Sequence, residues 1–109
     1  MSIDAELEGQ LAVLRQQFCS GLPKRFDAID AALVACRADP GNETPLRALM
    51  TVLHSLGGAA GIFGFEALGN LARDAEHSVM DWIAGGGGTL RGLEDLAAQI
   101  AAWRLQASA

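Results

Sequence analysis

At 109 residues the chain is long enough for one hydrophobic core and too short for two, and with 50% hydrophobic residues it is not a disordered segment. A net charge of −5, scattered and not gathered into a tail, argues against nucleic acid as a partner. No stretch is apolar for long enough to cross a bilayer, and the acidic opening Met1-Ser2-Ile3-Asp4-Ala5-Glu6 lacks the basic-then-apolar order of a signal peptide.

A cytoplasmic protein without a membrane partner is therefore expected, as one domain over residues 1–109. Ile3, Leu7, Leu11, Leu14 and Phe18 recur at helical spacing and predict a first amphipathic helix ending near Gly21. Pro23 suits the first turn of a second helix, whose stripe is Phe26, Ile29, Leu33 and Cys36 and whose end is Asp39-Pro40-Gly41-Asn42. Thr44 then reads as an N-cap with Pro45 at the first helical position. Leu46, Leu49, Leu53, Leu56 and Ala60 make the apolar face of this third helix, and Phe63-Gly64-Phe65 is its end and turn. A fourth helix runs from about Glu66 to Ala84, with Leu68, Leu71, Ala72, Ala75, Val79 and Trp82 on one side. Gly85-Gly86-Gly87-Gly88 reads as a flexible loop; it is not followed by the Gly-Lys-Ser/Thr of a phosphate-binding loop. Thr89 caps a last helix that turns Leu93, Leu96, Ile100 and Trp103 inward. There are no strand signals, and short loops between helices of similar length favour an antiparallel, up-down-up-down four-helix bundle, here with an additional N-terminal helix. Cys19 and Cys36, the two cysteines, read as free thiols without metal or redox spacing.

The segment that departs from this regular pattern is His54-Ser55-Leu56-Gly57-Gly58-Ala59-Ala60-Gly61-Ile62-Phe63-Gly64-Phe65. His54 lies one residue off the apolar face, and Gly57, Gly58 and Gly61 follow at i+3, i+4 and i+7, as its neighbours on the helix surface. Three glycines inside a helix cost about 3 kcal/mol relative to alanine. Local rules broken in this way mark functional sites. The pattern predicts an imidazole standing on bare backbone, open to an approaching partner. A tight turn at Gly64-Phe65 makes the third and fourth helices a hairpin. His54 and Glu76 each lie 11 residues from Phe65, so they face each other, and Glu76 can accept a hydrogen bond from Nδ1–H of His54. Arg73 lies one turn before Glu76 on the same flank; His77 reads as a residue of the solvated face. Met50, Gly58, Gly61 and Ile62 flank His54 as the floor and rim of a docking patch, with Ile62 alternatively turning into the core.

The segment resembles the signature of histidine-containing phosphotransfer (HPt) domains, His-x-Leu-Lys-Gly-x-Ala/Ser-x-x-Leu/Phe-Gly. His54, Leu56, Gly58, Ala60, Phe63 and Gly64 match, and Gly57 stands where the family usually has lysine. The resemblance extends through the helical layout to nearly the whole chain. It implies that His54 is a phosphoacceptor serving a bacterial-type phosphorelay. The partners it implies are receiver domains of a hybrid histidine kinase and of a response regulator. Mg²⁺ would sit on the receiver, with no metal and no cofactor belonging to this chain. A carboxylate at the offset of Glu76 also occurs in the chemotaxis-kinase branch of the family. Arg73 is the candidate for the positive charge that Gly57 lacks, and Gly57 joins Met50, Gly58, Gly61 and Ile62 as a candidate partner contact. No ATP-binding or kinase motif is present, so a phosphoryl carrier and not an enzyme is expected. Two rivals remain: a degenerate module that docks a receiver or kinase without being phosphorylated, and the phosphoacceptor domain of a larger chemotaxis-type kinase. Met1 and the compact end at Ala109 favour a complete chain over the latter.

Overall fold

A computed structural model describes residues 3–108. They form four helices: α1 (Ile3–Ala38), α2 (Glu43–Ile62), α3 (Glu66–Ala84) and α4 (Leu90–Ser108). The helix–helix bonds give the topology. Arg25 reaches Ser55 and Arg15 reaches Phe63, so α1 and α2 are antiparallel. His54 meets Glu76 across α2 and α3, and Arg104 meets Asp27 and Asp30 across α4 and α1. The order is up-down-up-down.

The additional N-terminal helix is not there. The expected break at Gly21-Pro23 does not occur, and α1 is one helix of 36 residues with Pro23 inside it. Phe18, Leu22, Phe26, Ile29, Leu33 and Cys36 form an unbroken buried stripe through the proline. Burying such side chains is worth about 1.5–3 kcal/mol each, which outweighs the roughly 3 kcal/mol penalty of one internal proline. Pro23 itself is exposed, as is Cys19, whose carbonyl loses its helical partner and can take a water instead. The N-terminal stripe has a different fate from the one its periodicity suggests. Ile3, Leu7 and Leu14 are 83%, 52% and 43% exposed, because α1 continues past the end of the bundle.

The α1–α2 connection is capped two residues earlier than expected. Asn42 is the N-cap of α2 and its side chain accepts from the Thr44 N–H at 3.0 Å. Pro45 then falls inside the first turn, where its missing N–H has no helical partner to lose. The α2–α3 turn closes α2 with a six-to-one bond, Phe65 N–H to the Ala60 carbonyl at 2.8 Å, around Gly64 at φ 84°. That left-handed position favours glycine. Phe18 packs against Phe63 and Phe65 with ring centroids 5.5 and 5.2 Å away, and Arg15 Nε donates to the Phe63 carbonyl at 3.0 Å. The glycine run after α3 is tied down: Gly88 N–H donates to the Pro40 carbonyl at 2.9 Å. Gly87, at φ 138°, lies so close to Gly41 that a Cβ there would be 2.9 Å from its Cα. Thr89 Oγ1 accepts from Gly92 N–H at 3.1 Å and starts α4.

The core joins the α1 stripe to Leu46, Leu49, Leu53, Leu56 and Ala60 of α2, Ala72, Ala75 and Val79 of α3, and Leu93, Leu96, Ile100 and Trp103 of α4. Leu68, Leu71 and Trp82 are half-buried against it. Arg104 fastens α4 to α1 by donating to Asp27 and Asp30 at 2.8 and 2.9 Å, and its hydrogen bond to Asp27 leads the effects that raise its pKa.

Candidate functional site

The site begins with two glycines that face each other. Gly57 on α2 and Gly69 on α3 are both buried. A Cβ on Gly69 would lie 3.3 Å from the Gly57 carbonyl, and a Cβ on Gly57 would lie 3.5 Å from the Gly69 carbonyl. The absence of side chains lets the two backbones approach, and the approach brings the flanks of α2 and α3 into register. On those flanks stand His54 and Glu76.

Nδ1 of His54 is 2.8 Å from Oε2 of Glu76. The His54 side chain is 76% exposed and that of Glu76 is 13% exposed, so the carboxylate is the sheltered, fixed partner. A carboxylate only accepts hydrogen bonds, so in the neutral ring the proton belongs on Nδ1 and the Nε2 lone pair is left free. The surface beside the ring is bare. Gly58 has nothing within 4 Å of where its Cβ would be, and Gly61 has only the Arg73 guanidinium, at 3.7 Å.

The other expected residues fare differently from one another. Arg73 is brought to the site: its Nε donates to the Gly69 carbonyl at 3.4 Å, and its Cγ lies 3.5 Å from the Cβ position of Gly57. Its stem thus occupies the space into which a side chain at position 57 would grow. Ile62 is 77% exposed and does not turn into the core. Met50 is half-buried against the core. Gly57 does not stand on the open surface; it is a packing position, reached from outside only at the floor of the groove. That groove, about 380 Å³, is lined by His54, Gly57, Gly58, Arg73, Glu76, His77 and Met80. His77 and Met80 were not among the expected site residues. Their signal was available, since Arg73, Glu76, His77 and Met80 follow the i, i+3, i+4, i+7 rule for one helix flank. Gly69 was also missed, because a lone glycine in a helix does not say which glycine it will meet. On the far side of α2, Arg25 donates to Ser55 Oγ at 3.1 Å and braces the residue next to His54.

An all-helical bundle that presents one carboxylate-anchored imidazole on an open helix face is the architecture of a phosphoryl-carrying module. The Hpt domain family model matches residues 13–108, nearly the whole chain, and the chain belongs to that family. Members of the family carry phosphoryl groups on histidine in two-component signalling and interact with receiver domains. Neither the comparison with curated proteins nor that with solved structures returned a match. Among the described residues no helix is long and apolar enough to cross a membrane.

Proposed function

We propose that His54 accepts a phosphoryl group from an aspartate of one receiver domain and donates it to an aspartate of another. The donor in this reading is the receiver of a hybrid histidine kinase and the acceptor that of a response regulator, in a bacterial-type cytoplasmic phosphorelay. The observation that carries the reading is the exposed ring held through Nδ1 by Glu76, with open space over Gly58.

The chemistry follows from that arrangement. The Nε2 lone pair attacks phosphorus in line with the acyl-phosphate bond; the N–P bond forms as the P–O bond breaks, and the aspartate leaves as a carboxylate. No proton has to move. The ring that results is positively charged, and Nδ1–H remains donated to Glu76, whose negative charge offsets it. The reverse reaction passes the group onward. The divalent metal that helps to neutralise the phosphoryl oxygens belongs, in this reading, to the receiver, and the chain acts as a carrier without a kinase activity or a cofactor of its own. Arg73, parked on the Gly69 carbonyl one turn from Glu76, is proposed as the phosphate countercharge in place of the family lysine. Met50, Gly58, Gly61 and Ile62 are proposed as docking contacts, with Gly57 beneath them and Met80, 47% exposed, added to them.

One observation favours a second reading, a module that docks without being phosphorylated: position 57 lacks the lysine and is closed by helix packing. Incubation with a phosphorylated receiver separates the two. Acid-labile, base-stable phosphate on the wild-type chain and its loss in His54→Gln support the carrier. Docking without any label supports the second reading.

A further inference from the structure

The face that carries His54 continues onto α1, on the side of α2 away from α3. Arg25 donates to Ser55 Oγ at 3.1 Å, so Lys24 and Arg25 lie level with His54 and Ser55 on the neighbouring helix. Between the two helices is a cleft of about 230 Å³ lined by Lys24, Arg25, Ala28, Val52 and Ser55. Its two cations differ. Arg25 is half-buried, stands over the Phe18 ring at 5.7 Å and is committed to Ser55. Lys24 is exposed and, among the described residues, makes no ion pair or hydrogen bond. One turn before it, a Cβ on Gly21 would meet nothing within 4 Å, so that neighbour does not block an approach to the ammonium group.

The chain has a net charge of −5, yet this face has no carboxylate to spare. From Arg15 to Ile62 the acidic residues of α1 and α2 are Asp27, Asp30 and Glu43. Asp27 and Asp30 are paired with Arg104 on the α4 side of α1, and Glu43 is paired with Arg47. Beside His54, Glu76 holds the ring. Asp74 and Asp81 belong to α3, on the other side of α2 from Lys24.

We propose that Lys24 is a specificity-determining contact that pairs with a carboxylate on the rim of the receiver's phosphorylation site, an inference that rests on the proposed docking of a receiver at His54. A receiver that carries the group as an aspartyl phosphate, beside a divalent metal held by oxygen ligands, is acidic where it meets this chain. Bringing that phosphorus to Nε2 of His54 brings the surrounding rim over the α1–α2 cleft. On the α3 side Arg73 is turned onto the Gly69 carbonyl; on the α1 side Lys24 is left to meet the rim. The contact is a rim charge and not a buried anchor, so it selects among receivers by charge and speeds their encounter.

Titration of the chain with a panel of Mg²⁺-loaded receiver domains tests the proposal, the tightest binder being taken forward. Lys24→Glu should raise its dissociation constant about fivefold or more at about 50 mM salt, with helicity unchanged, and the difference should shrink towards about 0.5 M salt. Lys24→Arg should stay close to wild type, because the charge remains. Arg91→Glu, which changes net charge equally at the start of α4, should matter much less. Charge reversal of one rim carboxylate on the receiver should restore its affinity for Lys24→Glu. A dissociation constant for Lys24→Glu within about twofold of wild type overturns the proposal, as does an equal loss in Arg91→Glu or a receiver on which no rim reversal restores binding. If no receiver binds the wild-type chain, the docking reading itself falls and this inference with it.

Discussion

Gly58 and Gly69 are both helical glycines near the site, and substitution should affect them in opposite directions. At Gly58 a Cβ meets nothing within 4 Å, so Gly58→Leu adds side-chain bulk to open solvent. Leucine is the better helix former by about 0.8 kcal/mol, and for a domain of this size that raises Tm by about 3–4 °C. The same leucine stands one turn from His54 on the face proposed for receiver docking, so phosphoryl transfer should fall by an order of magnitude or more while the fold gains stability. At Gly69 a Cβ meets the Gly57 carbonyl at 3.3 Å and the Gly61 nitrogen at 3.4 Å, and both are backbone atoms of the facing helix. Overpacking costs about 1–3 kcal/mol against a propensity gain of about 1 kcal/mol, so Gly69→Ala should lose up to about 2 kcal/mol. It should also slow transfer by moving His54 away from Glu76. Circular-dichroism melts and transfer rates from one phosphorylated receiver read both quantities on the same samples. Wild-type transfer by Gly58→Leu would place the docking face elsewhere. A Gly69→Ala variant as stable as Gly58→Leu would refute the close approach of α2 and α3.

Glu76→Ala should slow transfer without abolishing it, because the carboxylate orients the ring and forms no bond to phosphorus; ¹⁵N spectra of His54 should show the Nδ1–H tautomer losing its dominance, and an unchanged tautomer ratio would break the proposed role. Arg73→Ala should weaken transfer with the helices intact, because the phosphoryl group loses its proposed countercharge; an unchanged transfer rate would show that Arg73 does not replace the lysine. Cys36 is buried, and burial pushes its thiol above the 9.0 of a free cysteine. Its protonated form is therefore favoured by folding: the contribution is complete below that pH and declines as pH rises through the higher folded-state value. At pH 8 iodoacetamide should modify exposed Cys19 and leave Cys36 until the chain unfolds, and equal rates would remove Cys36 from the core.

The His54–Glu76 contact was legible because it needs only helical period and one turn. Both residues are equally far from Phe65, and Gly64 marks the turn without ambiguity. The continuity of α1 was not legible from Gly21 and Pro23, whose local signals say stop; what overrules them is the burial of Leu22 and Phe26 on either side, a tertiary fact. The stripe did hold a hint, since Phe18, Leu22 and Phe26 keep helical spacing across the proline. Periodicity alone also assigned Ile3, Leu7 and Leu14 to a core that ends before it reaches them. At the α2 start, Thr44 and Asn42 are both good caps, and only the observed Asn42 side-chain bond decides between them. The three glycines after His54 looked equivalent in sequence. Gly57 faces Gly69 and packs, Gly58 faces solvent, and Gly61 lies under the Arg73 guanidinium, a distinction set by the rotation of α2 against α3.

In the proposed mechanism Glu76 holds Nδ1, so that Nε2 alone takes the phosphoryl group. Phosphorus–nitrogen correlation by NMR on ¹⁵N-labelled chain, phosphorylated by a receiver, measures this directly. A ³¹P coupling to Nε2 of His54 and a proton on Nδ1 are expected. Phosphorus bonded to Nδ1 of His54, or to the ring of His77, would contradict it.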